Sequence, residues 1–122
     1  ATAMTSSLVG SEMCIRDRQG HARNTESYAN LIEQLDVEIP MIINKLNNDD
    51  LLIITADHGN DPTFKGNSHT RENVPVMIFG RSFREPKCME PLDSLADIGA
   101  TIADNFEVEE PEIGISILDE LK

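Results

Sequence analysis

The chain has 122 residues, with 22 Asp and Glu against 10 Lys and Arg, for a formal net charge of −12. Such an acid excess argues against a general nucleic-acid surface, which needs clustered basic side chains, and the length sets one domain with a small core as the expected limit. No apolar run approaches the length of a membrane span, so a globular, cytoplasmic setting is expected. Cys14 and Cys88 show no metal-ligand spacing, and free thiols are expected of them in a reducing compartment.

Residues 1–18 carry scattered charges and no sustained apolar period. Ser7 to Arg18 resembles a translated sequencing adapter, so the native sequence is expected to begin at Gln19 and residues 19–122 to form the folded part. From Thr25 to about Asn47 the period is helical: Tyr28, Leu31, Ile32, Leu35, Ile39, Ile42, Ile43 and Leu46 recur at three and four residues. Asn24 or Thr25 is suited to cap its start. Pro40 should kink or divide this helix, because it removes a backbone donor. Asn47-Asn48-Asp49-Asp50 reads as a turn.

Leu51 to Ala56 reads as a strand with apolar residues on both faces, as in a sheet covered on both sides. The stretch from Asp57 to Asn73 is a long loop rich in Gly, Asn, Asp, Pro and Thr; a loop of that length is usually functional or disordered. Val74 to Phe79 reads as a second strand, with Pro75 near its start. A helix is expected from Asp93 or Ser94 to Asn105, with Leu95, Ile98, Ile102 and Phe106 on one face. Glu107 to Glu112 reads as a linker, and Ile115 to Leu121 as a last short helix.

The chemistry concentrates where the first strand ends. Asp57-His58-Gly59 closes the apolar run, and His69 follows in the same loop, so two of the three histidines fall there. In open α/β sheets, polar residues at such a strand end stand where ligands bind. A carboxylate with neutral imidazoles suits a divalent ion, and Gly59 lets the backbone turn sharply. Taken alone, Asp-His-Gly is more simply a polar turn. Asp61 is more simply a turn residue, Arg71 and Glu72 a surface ion pair, and Lys65 a solvated side chain.

Thr55-Ala56-Asp57-His58-Gly59-Asn60-Asp61-Pro62-Thr63, followed by His69-Thr70-Arg71-Glu72-Asn73-Val74-Pro75-Val76, closely resembles the C-terminal part of the phosphopentomutase family. That family lies within the alkaline-phosphatase-like group of binuclear metalloenzymes. Gly20-His21-Ala22-Arg23 resembles its Gly-His-Arg-Arg motif, with Ala22 in place of an Arg, and Gly114 to Leu121 also fits. The likeness runs from about Gln19 to Lys122.

The resemblance implies an α/β fold, part of a three-layer sandwich with a sheet between helices. It also implies two Mn2+ ions, with Asp57 and His58 as ligands of one and His21 and His69 as ligands of the other. The substrate would be a sugar phosphate: (deoxy)ribose 1-phosphate and (deoxy)ribose 5-phosphate would be interconverted through a phosphothreonine. Two further Asp ligands of the family have no counterpart here. One belongs to an N-terminal strand, and the other should fall at position 16, which is Arg16. The phosphorylated Thr has no counterpart either, and Thr63 is not that residue. No catalytic nucleophile is therefore assigned, and the chain by itself is expected to be inactive. Rival readings are another member of the same group, such as a phosphoglycerate mutase or a phosphatase, and a non-catalytic metal-binding fragment.

Overall fold

A computed structural model of the chain describes residue 22 and residues 24–66, 68–83, 85–109 and 111–121. The order of elements is α1 (Thr25–Lys45), β1 (Leu51–Thr55), β2 (Val76–Gly80), α2 (Ala96–Asn105) and α3 (Leu118–Leu121). The two strands are neighbours in a two-stranded sheet. The reading of residues 1–18 falls outside the described residues.

Helix α1 starts where the sequence indicates. The Asn24 side chain accepts from the Ser27 amide at 3.0 Å, satisfying one of the donors that a helix start leaves open. Tyr28, Leu31, Leu35, Ile39, Ile42, Ile43 and Leu46 are all half-buried, whereas Ile32, Val37 and Met41 are exposed. Contrary to expectation, Pro40 does not divide the helix, which continues to Lys45. Proline removes one hydrogen bond, and the apolar period resumes on the same face directly beyond it at Ile42 and Ile43. The turn that follows is held by Asp50, whose carboxylate accepts from the Asn47 amide at 2.7 Å and the Asn47 side chain at 2.9 Å.

Strand β1 is half-buried from Leu51 to Ile54, on both faces, as its unbroken apolar run predicts. Strand β2 begins at Val76 rather than Val74. Pro75 has no amide to donate and holds the residue before it out of the ladder.

The described residues divide into two compact units, one comprising those up to residue 46 together with 53–77, the other 47–52 together with those from 78 onward. Among the described residues, every fully buried one lies in the second unit. Its core is Ala100, Ala103, Ile117 and Leu118, with Asp97 and Thr101 buried among them. Helix α2 packs on α3 and is hydrogen-bonded to the segment 115–117.

Of the apolar face expected of α2, Ile98 is half-buried, but Leu95, Ile102 and Phe106 are 47%, 43% and 69% exposed. The reason is the hydrogen-bonded strap opposite. Ile115 donates its amide to the Asp97 carboxylate at 2.9 Å. Ile117 donates to the Thr101 hydroxyl at 3.1 Å, and that hydroxyl donates to the Asp97 carbonyl at 2.6 Å. The Ser116 hydroxyl donates to Asp104. The polar, small-residue face is therefore the one that must be covered, since buried donors need acceptors. The same bonds tie residues 115–117 to α2, and the last helix begins at Leu118 rather than Ile115.

Ser94 and Asp97 cap the start of α2 reciprocally. The Ser94 hydroxyl accepts from the Ala96 amide at 3.1 Å, and the Asp97 carboxylate from the Ser94 amide at 3.3 Å. The helix stops at Glu107, which takes a positive φ of 52°. Val108 donates to the Ala103 carbonyl at 3.1 Å and Glu107 to that of Asp104 at 3.0 Å, the paired bonds of a Schellman ending. Cys88 is a free, exposed thiol, as expected.

Candidate metal centre

Strand β1 ends at Thr55, and Asp57 and His58 follow just beyond Ala56. Gly59 forms an isolated antiparallel bridge with Thr70, so the intervening residues become a closed loop. Only glycine fits at the bridge. A Cβ there would lie 2.7 Å from the Thr70 carbonyl oxygen and 2.8 Å from the Glu72 amide nitrogen, and against the Glu72 carboxylate.

Four hydrogen bonds around Asp61 and Thr70 shape the loop. The Thr70 amide donates to the Gly59 carbonyl at 3.0 Å. The Thr70 hydroxyl accepts from the Asp61 amide at 2.6 Å. The Asp61 carboxylate accepts from the amide and the hydroxyl of Thr63, each at 2.7 Å, an Asx turn that confirms Asp61 as a turn residue.

This closure brings the two loop histidines together. The rings of His58 and His69 stack with centroids 3.5 Å apart and planes 10° from parallel. His58 Nδ1 lies 3.0 Å from the Gly59 carbonyl oxygen. A carbonyl oxygen only accepts, so Nδ1 is the donor in this contact. On the other side of the ring, Nε2 lies 3.6 Å from Asp57 Oδ1; the Asp57 side chain is 84% exposed and that of His58 26%.

Of the four residues singled out in the sequence, Asp57, His58 and His69 are therefore contiguous, and His21 lies outside the described residues. Among the described residues, no set of three or more His, Cys, Asp or Glu side chains is arranged to hold an ion. Arg71, Glu72 and Lys65 are exposed. Thr70 was not singled out from the sequence. Its position directly after His69, in a loop that must close, was the available signal. No helix among the described residues is long and apolar enough to cross a membrane.

The pattern of the metalloenzyme superfamily matches residues 9–110. The chain belongs to that superfamily, and its helices and two-stranded sheet are those of a small α/β piece of the alkaline-phosphatase-like fold. Within it, three curated relatives share a name. The phosphopentomutases of Clostridium botulinum and Clostridium beijerinckii are each 55% identical to this chain over 104 residues, and that of Clostridium tetani is 53% identical over 104 residues. In each case the match covers 84% of this chain and 26% of the relative, so the chain spans about a quarter of the length of these curated relatives. The superfamily match begins at residue 9, inside the stretch that resembles an adapter.

Proposed function

We propose that residues 19–122 are part of a phosphopentomutase that interconverts (deoxy)ribose 1-phosphate and (deoxy)ribose 5-phosphate through a phosphoenzyme, in the cytoplasm. The observation that carries this reading is the contiguous Asp57, His58 and His69 cluster, set in a chain 55% identical to enzymes of that name.

The donor set fits a pair of divalent ions, for which Mn2+ is proposed. Two donors each about 2.1 Å from one ion lie about 3.0–3.4 Å apart, close to the 3.6 Å between Asp57 and His58. Parallel stacked imidazoles direct their lone pairs along separate planes, so they suit two ions better than one. Their 3.5 Å spacing is near the roughly 3.5–4 Å typical of two-metal phosphate sites. Asp57 and His58 would hold one ion and His69 the other, with His21 as its proposed companion. When bound, such ions neutralise and polarise phosphoryl oxygens. Asp57 supplies the charge that offsets an ion, and the Gly59 carbonyl fixes the His58 tautomer and ring orientation.

Two outcomes test this. Mn2+ titrated into the 122-residue chain binds, and His69→Ala weakens that binding at least about tenfold, roughly 1.4 kcal/mol; equal affinity in the variant would remove His69 from the site. The purified chain on its own turns over no ribose 1-phosphate, because it offers no matching nucleophilic Thr. Turnover that tracks with the chain through successive purification steps would contradict that. Sequencing the source gene across the codons for Arg18 and Gln19 tests the reading of residues 1–18: a frame that continues upstream with Asp at the position of Arg16 supports it.

A further inference from the structure

We propose that Thr70 is a positioning residue for the histidine pair: its hydroxyl latches the loop and thereby sets where the His69 imidazole lies against His58. The inference rests on the metal-centre reading for its purpose, but not for its geometry.

Thr70 ties both ends of the loop. Its amide reaches back to the Gly59 carbonyl at 3.0 Å, and its hydroxyl takes the Asp61 amide at 2.6 Å. The Gly59 carbonyl is also the group that orients His58, through Nδ1 at 3.0 Å. One carbonyl thus serves the residue after His69 and the ring of His58 together. Neither Gly59 nor Thr70 can slide along the bridge without disturbing a histidine.

The hydroxyl adds the second tie. Asp61 is already fixed by its own turn through Thr63, so an amide pointing from Asp61 is a fixed donor. Binding it holds Thr70, and hence the adjoining His69, in register with His58. A β-branched residue suits this, because its restricted χ1 keeps the oxygen aimed before the loop closes. Valine has the same shape but no acceptor, and it would leave a half-buried amide unpaired. Serine keeps the acceptor and loses only the stiffness.

The test uses the full chain and two separate readouts. In the free protein, a nuclear Overhauser contact between the ring protons of His58 and His69 reports the stack without any metal. It is expected in the natural chain and in Thr70→Ser, and lost in Thr70→Val with an unchanged far-ultraviolet circular dichroism spectrum. Retention of the contact in Thr70→Val would overturn the proposal. Amide hydrogen exchange in the natural chain gives a check that needs no variant. The Asp61 amide is expected to exchange at least tenfold more slowly than that of Lys65, and equal rates would overturn the latch. Co2+ titration, followed by its visible absorption, then addresses the purpose. Affinity falling at least tenfold in Thr70→Val, with recovery in Thr70→Ser, supports positioning for metal. A chain that binds no Co2+ yet loses its ring contact in Thr70→Val overturns the metal-centre reading and leaves the latch standing.

Discussion

Gly114→Ala is expected to lower the stability of the C-terminal unit by on the order of 3 kcal/mol. Two independent penalties add at this position. The backbone holds a φ of +105°, a conformation that L side chains rarely adopt. A Cβ would also fall against the Ala96 carbonyl group, with its carbon at 2.6 Å. The obstacle is main chain at the first turn of α2, so no rotamer change relieves it. Gly99 supplies the control, since nothing lies within 4 Å of a Cβ there. Gly99→Ala in the middle of α2 should raise stability by about 0.5–1 kcal/mol through helix propensity. Urea unfolding followed by circular dichroism separates the two: the midpoints should move in opposite directions. A Gly114→Ala midpoint equal to that of the natural chain would contradict the described contact.

Asp97→Ala is expected to cost about 2–4 kcal/mol. Asp97 is 6% exposed, and its two carboxylate oxygens serve different segments. One caps α2 at the Ser94 amide, and the other pins the Ile115 amide of the strap. Alanine leaves both donors without a partner, one of them in a closely packed setting. Asp97→Asn keeps the shape and one acceptor but sets an NH2 against an N–H, so it should recover only part of the loss. The check is the same urea series, with amide exchange at Ile115 as the local reporter. An Ile115 amide as protected in Asp97→Ala as in the natural chain would refute this account.

What could be read from the sequence follows from how local each signal is. The α1 face from Tyr28 to Leu46 was legible, apart from the exposed Ile32, because its period is long and its cap, Asn24, adjoins it. The β1 strand was legible because its five-residue run has no competing reading. The three loop residues Asp57, His58 and His69 were legible as a chemical set. Their stacking was not, because it depends on the Gly59–Thr70 bridge, a pairing between residues eleven apart that no period announces. The packed face of α2 was not legible either. Hydrophobic pattern favours Leu95, Ile102 and Phe106, but hydrogen bonds from a strap about eighteen residues downstream bury Asp97 and Thr101 instead. Pro40 shows the converse: a strong local breaker yields to a helical period that continues on both sides.

The first unit, which carries the histidine pair, has no fully buried residue among those described. Its local opening free energy therefore rests on loop hydrogen bonds and half-buried contacts, the low end of the range within a protein. Anything that binds the closed loop and not the open one adds RT ln(1 + [L]/Kd) to that small quantity, about 2.7 kcal/mol at a hundredfold excess over Kd. Order in the segment from Asp57 to Thr70 then becomes a function of ligand concentration. Occupancy of the site would be readable as resistance of that loop to proteolysis.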